Sequence, residues 1–439
     1  MAITVGLLFV VGVVVRLILL QTDLPQWVAN KNEVITPLTA WERVQEGLAL
    51  KKNMISPYDG DIFHETPILL KIMEIVNNFP TASKYFFVIL DVWMGLLLLS
   101  ITNKFAGYKL KQQAEGVKKY SVDVEKIILR SKDLRHLGSY VIAVHFLNPY
   151  TISTCLARST ASVSNLAIIY LFYYMLHNKL ILCTFFIAVA TYQSFYPFIL
   201  CAPVALYFYI HQTSSKGVTS YNSSEAIFSY TRTCLLSIGW LMALLGASCV
   251  LEGSWSFLYS TYGFILTVPD LSPNVGVFWY FFTEMFEHFR VFFICVFQIN
   301  AVIYTVPLAV KLRKNPVFFL YMLIFLTSIF KSYPSYSDVG LCLTLLPLWK
   351  HTFSYMRNSF VVGCMYICCT VFAPVLWHLW IYAGSANANF YFAITLVFST
   401  AQIFLVTDLL FAFLRREYDL YNGTTHKLEN GETTQIILE

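Results

Sequence analysis

Long apolar stretches separated by short polar ones dominate the chain. The clearest pair lies between Phe360 and Arg416, where two stretches of membrane length flank the small polar turn Ala-Gly-Ser-Ala-Asn-Ala-Asn at 383–389. About 20 mainly apolar residues can cross a hydrocarbon core of about 30 Å, so both stretches predict membrane-spanning helices. The 383–389 turn is then expected at a membrane surface.

The same pattern recurs along the chain and predicts about twelve spanning helices. They are expected at 3–21, 82–104, 137–157, 161–177, 180–195, 197–211, 231–252, 290–312, 316–332, 338–350, 359–381 and 390–413. The predicted fold is an all-α polytopic membrane domain over residues 1–416, followed by a tail at 417–439. Arg16 interrupts the apolar start, which we interpret as a retained first span and not as a cleaved signal peptide.

Composition supports a membrane protein and excludes the soluble classes. Hydrophobic residues make up 57% of the chain, charged residues only 13%, and the mean hydropathy is +0.61. The ten cysteines all fall in apolar segments without ligand-like histidine spacing, so neither a disulfide framework nor a zinc site is expected. No nucleophile elbow, phosphate loop or zinc-protease motif occurs, and no cofactor or metal is predicted.

Loop charge predicts the orientation. The loop at 105–136 has a basic excess, whereas the loop at 22–81 is mixed and the segment from Gly253 to Glu287 contains no lysine or arginine. The positive-inside rule places the basic loop and both termini in the cytosol, and 22–81, 253–289 and the 383–389 turn on the luminal side. The net charge of +5 follows this topology, so no nucleic-acid partner is expected. The sequons at Asn222 and Asn422 then face the cytosol and should carry no sugar.

The two luminal loops contain candidate features. In the first loop, Trp41, Val44 and Leu48 follow helical spacing and predict an amphipathic helix on the membrane surface. Its Asp59, Asp61, His64 and Glu65 fit either a metal site or ordinary turn charges, and turn charges are favoured. The aromatic segment at 253–289 predicts an interfacial hairpin. Its Glu284, Glu287 and His288 fit a solvated helix start and a headgroup-contacting patch equally well.

The 383–389 turn offers Ser385, Asn387 and Asn389, whose groups can donate and accept hydrogen bonds to a lipid headgroup. The same residues are standard turn and helix-cap residues, and on their chemistry alone capping is favoured. His145 and His378 lie inside predicted spans. A hydrogen bond between helices is the favoured interpretation of both, ahead of a functional role.

Long sequence blocks spread over the chain match one known family. They are SPYDGDIFHETPILL, FLNPYTI, ATYQSFYP, YGFILTVPDLSPNVGVFWYFFTEMFEHF, IFKSYPSYSDV, FAPVLWHLWIYAGSANANFYFAITL and FAFLRREY. Together they resemble the phosphatidylinositol-glycan class U family, whose members are subunits of the glycosylphosphatidylinositol (GPI) transamidase complex. The likeness runs from Arg16 to Tyr418 and weakens at 107–135, at 214–229 and after 418.

The resemblance implies a multi-pass protein of the endoplasmic reticulum that helps to recognise or present the GPI glycolipid for attachment to the C-terminus of precursor proteins. Catalysis would belong to a separate caspase-like cysteine protease subunit. The lipid-binding residues that it implies are Asn387, Asn389, Arg290 and Phe292 for the glycolipid, with Arg313 and Lys216 for anionic membrane lipid.

Two other function classes remain. The S-P-Y turn and the first-loop layout also resemble polytopic, GT-C-like mannosyltransferases of the same lipid pathway, which use a dolichol-linked sugar. Those enzymes place an acidic pair upstream of that turn, whereas Asn30, Lys31, Asn32 and Glu33 stand here. The fold is therefore expected to be enzyme-like without the enzyme's site. A transporter would need more polar groups at mid-membrane depth than the spans contain.

Overall fold

A computed structural model describes residues 2–215 and 223–424, and within these ranges the chain forms twenty α-helices and no strand. The first half contains α1 (Ala2–Leu19), α2 (Leu24–Ala29), α3 (Trp41–Lys52), α4 (Pro67–Asn77), α5 (Pro80–Gly116), α6 (Ser131–Leu134), α7 (Leu137–Leu147), α8 (Pro149–Leu156), α9 (Ala161–Leu176), α10 (Leu180–Gln193) and α11 (Cys201–Ser215). The second half contains α12 (Ser223–Glu252), α13 (Phe264–Thr267), α14 (Phe278–Glu284), α15 (Arg290–Asn300), α16 (Thr305–Lys311), α17 (Pro316–Phe330), α18 (Tyr336–Leu345), α19 (Ser359–Ile381) and α20 (Ala388–Asn422).

Five helical segments are long and apolar enough to cross a membrane: Ser83–Lys119, Ser223–Glu252, Glu287–Lys311, Ser359–Ile381 and Ala388–Asn422. Four shorter apolar helices accompany them, at Ile3–Leu19, Ala161–Leu176, Leu180–Gln193 and Pro316–Phe330. The all-α polytopic membrane class is thus confirmed. The count of about twelve spans stays a prediction.

Three expected spans are interrupted. The span expected at 137–157 is divided at Asn148, because Pro149 has no N–H to continue the helix and the Asn148 side chain caps α8 by accepting from the Tyr150 N–H at 3.0 Å. A turn at 301–304 divides the span expected at 290–312 into α15 and α16. At 338–350, α18 ends at Leu345 and a 3-10 helix containing Pro347 follows.

Helices α5 and α20 run well past their expected C-terminal ends. Helix α5 continues beyond residue 104 to Gly116, so the first part of the basic segment at 105–136 is helical. Helix α20 continues past Arg416 to Asn422. At about 1.5 Å per residue, α20 spans roughly 50 Å, which exceeds the thickness of a hydrocarbon core.

Helix α17 lies at the centre of the bundle, and nearly all of its side chains are buried. Around the fully buried Trp349, the rings of Phe105, Phe318 and Phe413 bring α5, α17 and α20 together, with centroid distances between Trp349 and these rings of 5.2, 4.7 and 5.9 Å. In contrast, the apolar windows of α12, of Glu287–Lys311 and of α19 are only 11%, 11% and 17% buried. Those helices therefore present apolar faces to their surroundings.

The loops at 22–81 and 253–289 pack more tightly than expected. Helix α3 forms as predicted, but Trp41 and Val44 are buried inside the protein, and Trp41 meets Phe87 of α5 at 5.8 Å. The apolar face expected on a membrane surface is thus covered by the bundle. Likewise, the aromatic segment at 253–289 turns rings such as Phe264 and Phe278 inward. Apolar side chains that can reach a protein core lose more water contact there than at the wet interface.

Candidate functional site

The 383–389 turn closes the end of α19 and starts α20. Gly384 adopts φ +63°, a conformation that favours glycine, and this lets the Ser385 and Ala386 N–H groups donate to the Leu379 carbonyl at 3.0 and 3.2 Å. These bonds satisfy a carbonyl that the end of α19 would otherwise leave without a partner. The turn is therefore built from its own local chemistry.

Asn387 is the N-cap of α20. Its backbone is extended, and its side-chain oxygen accepts from the Asn389 N–H at 3.1 Å. Of the two asparagines, Asn387 is thus the capping one. Asn387 remains exposed, so the capping and headgroup-contact interpretations of this residue are compatible.

Asn389 is connected to the aromatic segment. The Tyr280 hydroxyl of α14 donates to the side-chain oxygen of Asn389, and the Tyr280 ring stacks on Phe392 with centroids 4.1 Å apart and an interplanar angle of 11°. Asn389 itself stays exposed. Tyr280 was not among the predicted site residues, because its position beside Asn389 depends on a contact between residues 109 positions apart.

Arg290 begins α15, the next α-helix after α14. Its guanidinium donates to the Val268 carbonyl at 2.8 Å and lies 3.6 Å from the Glu287 carboxylate. Val268 adopts φ +49°, which is uncommon for a β-branched residue, so this bond supports a strained turn. Phe292 is 63% exposed.

Helix α14 connects these two groups. Through Tyr280 it holds the start of α20, and through the contact of Phe281 with Phe293, at 5.1 Å, it holds α15. Helix α14 therefore contacts both α20, which carries Asn389 and is capped by Asn387, and α15, which carries Arg290 and Phe292. Glu284, which ends α14, and the 3-10 turn Glu287–Phe289 belong to separate elements, so Glu284, Glu287 and His288 do not share one helical face.

Of the two residues predicted to hold anionic membrane lipid, Arg313 does not join this group. Arg313 is exposed beyond the far end of α16, two helices away from Arg290. Lys216 lies outside the described residues.

Glu33 is buried, with only 3% of the residue exposed. Its carboxylate accepts from the Tyr391 hydroxyl at 3.0 Å, and its carbonyl accepts from the Tyr336 N–H at 2.8 Å. Burial raises the pKa of Glu33 above its usual value. Glu33 thus joins the first loop to α20 through its carboxyl and to α18 through its backbone carbonyl, and its buried carboxyl is not open to a substrate.

His64 and Glu65 of the same loop are also packed inward. Both His64 ring nitrogens lie within hydrogen-bond distance of backbone carbonyls, Ser260 at 2.8 Å and Asp61 at 3.0 Å. The ring is 6% exposed and stacks on Phe264, so the expected solvated charge is wrong for this residue. Among the described residues, no group of three His, Cys, Asp or Glu side chains is arranged to hold a metal ion.

The buried histidine of the spans behaves as expected. His145 Nε2 lies 2.9 Å from the Asp91 carbonyl, which forms the predicted bond between helices. His378, in contrast, is exposed on α19, where it stacks on Tyr382 at 5.3 Å.

Comparison with known proteins identifies the family. A family model described as GPI transamidase subunit PIG-U matches residues 10–398. The chain is 42% identical over 441 residues to the GPI-anchor transamidase component PIGU of Mus musculus and 40% identical to that of Homo sapiens, with 100% of both chains covered in each case. It is 29% identical to the GPI transamidase component GAB1 of Saccharomyces cerevisiae, over 90% of this chain and 91% of that protein.

The chain also has a weaker similarity to an enzyme. GPI mannosyltransferase 1 of Saccharomyces cerevisiae is 24% identical over 189 residues, which are 43% of this chain and 40% of that protein. This partial match agrees with the expected likeness to a polytopic mannosyltransferase scaffold. The match over most of the chain decides the assignment: the chain belongs to the PIG-U family of GPI transamidase subunits.

Proposed function

We propose that this chain is a non-catalytic membrane subunit of a GPI transamidase complex in the endoplasmic reticulum, where it helps to present the GPI glycolipid for attachment to precursor proteins. The observation that carries the proposal is its similarity, over the full length, to proteins named as transamidase components. The bond-making step is assigned to another subunit, a caspase-like cysteine protease. Both termini face the cytosol.

The glycolipid is proposed to contact the surface formed by the 383–389 turn, α14 and the start of α15. Exposed amides at Asn387 and Asn389 can donate to phosphate and accept from sugar hydroxyls, and Arg290 adds a positive charge. Phe286, Phe292 and Phe390 are 80%, 63% and 56% exposed nearby in the chain, and such rings suit the boundary between headgroup and acyl chain.

The other subunits are proposed to pack on the outward apolar helices. Helices α12, α15 and α19 have little of their apolar surface covered within this chain. In a bilayer, helices associate through close packing and through hydrogen bonds between them. Exposed polar side chains such as His378 of α19 would supply the second kind of contact.

Replacement in cells tests the role in the complex. Cells that lack their own subunit of this family would express the chain, and surface levels of GPI-anchored proteins would be measured by flow cytometry. We expect restored surface levels and co-purification with the cysteine protease subunit. Expression without either result would contradict the proposal.

Single substitutions then test the glycolipid contact. Asn389→Ala should lower surface levels several-fold while the abundance of the subunit and its co-purification stay normal. Asn422→Ala is the matched control, because Asn422 is an exposed asparagine at the opposite end of the same helix. If Asn389→Ala instead depletes the subunit or its partners, the turn is structural and the contact is refuted.

The alternative function, dolichol-sugar-dependent mannosyl transfer, is favoured only by the partial similarity to GPI mannosyltransferase 1. The buried position of Glu33 opposes it, because a general base must reach the proton that it abstracts. We expect no sugar transfer from a dolichol donor by the purified chain. Transfer that is lost in Glu33→Gln would favour the enzyme instead.

A further inference from the structure

A cavity of about 700 Å³ opens at the end of the bundle that carries the basic segment. Its walls come from three distant parts of the chain: residues 126–140, the 3-10 helix Leu346–Tyr355 and the end of α20. Along α20, roughly 40 Å separate this cavity from the 383–389 turn. It is therefore a second site, remote from the proposed glycolipid contact.

The lining of the cavity is strongly basic. Its titratable residues with basic side chains are Lys126, Lys132, His136, Lys350, His351 and Arg416. Asp133 is the acidic residue among the lining residues, and its carboxylate already accepts from the Arg130 N–H at 2.8 Å. The groove on the other side of Arg416 adds Lys109 and Lys314 against Glu417. An anion in the cavity would therefore lie near several cations and only one acidic lining residue.

Arg416 is the first residue that points to an anionic ligand. The residue is only 4% exposed and donates to the Ile127 carbonyl at 2.9 Å. Its neighbour Arg415 is paired with Asp419 at 3.2 Å, but no carboxylate lies within 4 Å of the Arg416 guanidinium among the described residues. Burial of a cation that no carboxylate contacts directly is unfavourable, and an anion bound in the cavity would reduce that cost.

His351 provides the second, independent sign. Neither of its ring nitrogens has a hydrogen-bond partner in the described part of the chain, although both are buried. Burial, with the nearby cations Arg416 and Lys109, lowers the pKa of His351, so the ring is neutral and has one N–H to donate. A buried donor without a partner is unfavourable, and a hydrogen bond to a phosphate oxygen in the cavity would remove that cost.

The cavity is amphipathic. Apolar side chains of Ile127, Leu129 and Leu137 share the lining with the cations, and Lys350 lies 3.9 Å from the centroid of the Tyr140 ring. A volume of this size is typical of small-molecule sites. We propose that the cavity binds a phosphate-bearing anion, with Arg416 and the three lysines holding the phosphate and His351 donating to it.

The phosphate could belong to an anionic lipid or to a soluble molecule, and two arms of one experiment distinguish them. The purified complex would be placed in nanodiscs of phosphatidylcholine with or without about 10% phosphatidylinositol, and native mass spectrometry would count retained lipid. In the second arm, inorganic phosphate would be titrated against the complex in pure phosphatidylcholine nanodiscs, with the melting temperature as readout. Retained phosphatidylinositol would show that the ligand is a lipid headgroup. A phosphate-dependent rise in the melting temperature without retained phosphatidylinositol would show that it is a soluble phosphate.

Two triple variants that remove the same charge test whether the lining of this cavity is responsible for anion binding. The triple variant Lys126→Gln, Lys132→Gln, Lys350→Gln removes exposed lysines of the cavity and leaves the buried Arg416 in place. The control triple Lys111→Gln, Lys118→Gln, Lys119→Gln removes the same charge from exposed positions outside the lining. We expect at least a tenfold loss of binding in the first and no change in the second. Equal loss in both triples, or no binding in either arm, would overturn the proposal.

Discussion

At the scale of single residues, charged groups inside the apolar bundle are paired and specific. Arg16 of α1 is completely buried, and its Nε donates to the Asp91 carboxylate of α5 at 2.7 Å. A second guanidinium nitrogen donates to the Phe146 carbonyl of α7 at 2.9 Å. One side chain thus connects three helices. Charged side chains inside a membrane are expected to pair, but only the structure identifies Asp91 as the partner of Arg16.

Removing one partner of this pair should be strongly destabilising. In Asp91→Asn the buried Arg16 loses its counter-charge, and we expect a loss of about 3–5 kcal/mol in the free energy of unfolding. A thiol-reactive dye measures this, since Cys183 and Cys342 are buried and become reactive on unfolding. The double variant Arg16→Met, Asp91→Leu should lose less than Asp91→Asn, because it leaves no unpaired charge. A cost equal to that of the exposed control Lys104→Gln would contradict the argument.

Glu65 predicts a pH dependence of stability. Burial raises the pKa of Glu65 to about 8, against a hydrogen bond from Thr160 that lowers it. Because the unfolded carboxyl titrates near 4.5, the folded protein holds a proton between about pH 4.5 and 8 that the unfolded chain has released. The stability that this group contributes is therefore complete below pH 4.5 and is lost as the pH rises towards 8.

The measurement is the midpoint of thermal unfolding at pH 5 and at pH 8 for the unsubstituted chain and for Glu65→Gln. The glutamine keeps an oxygen that can accept from Thr160 and has no proton to release. We expect the substitution to reduce the fall in midpoint between the two pH values. An unchanged fall would mean that Glu65 is charged in the folded protein.

At the scale of elements, α20 links the two proposed binding surfaces. Its first residues contact α14 at the proposed glycolipid surface, and its last turns line the basic cavity through Arg416. More than half of its apolar window, 56%, is buried, so its position is determined by the bundle. The bundle therefore fixes the positions of the two ends of α20 relative to each other.

Substitutions of Asn387, the N-cap of α20, can distinguish its capping role from a role in headgroup recognition. Asn387→Ala removes the side-chain oxygen that accepts from the Asn389 N–H, and we expect a loss of about 1 kcal/mol in stability. Asn387→Ser keeps a capping oxygen and should melt close to the unsubstituted chain, while lacking the amide that a headgroup would contact. If Asn387→Ser melts normally and lowers surface levels of anchored proteins, the amide is used in recognition. Normal surface levels with Asn387→Ser would restrict Asn387 to capping.

At the scale of the whole molecule, the two ends of the bundle differ in chemistry. The end with the 383–389 turn carries neutral polar groups and aromatic rings, whereas the other end carries the basic cavity. This asymmetry agrees with the orientation predicted from loop charge, in which the basic end faces the cytosol.

Engineered glycosylation acceptors test the orientation. One acceptor sequence would be inserted at Gly60, where the surroundings of the Cα are open, and another at Val122, whose side chain is fully exposed. We expect a sugar at the first position and none at the second, as judged by a mobility shift that an endoglycosidase removes. The native sequon at Asn422 is an internal control that should stay unmodified. Modification at Val122 would reverse the predicted topology.

The sequence by itself determined the class, the family and the approximate position of most long helices, including the turn between α19 and α20. These features are local: a run of apolar residues, a proline or a glycine acts within a few positions of itself. Where local signals conflicted, as at Asn148-Pro149 and in the long α5, the boundaries were missed. Blocks of similar sequence identified the family without any knowledge of contacts.

Only the tertiary structure decided which groups meet. Asp91 pairs with Arg16, Tyr391 covers Glu33, and Tyr280 holds Asn389, each across a long separation in sequence. The basic cavity likewise assembles from three distant segments, and the aromatic loop turns inward because the bundle offers it a dry surface. Hydropathy records how apolar a position is, but apolar contact with lipid and with protein look the same in a sequence, and only packing distinguishes them.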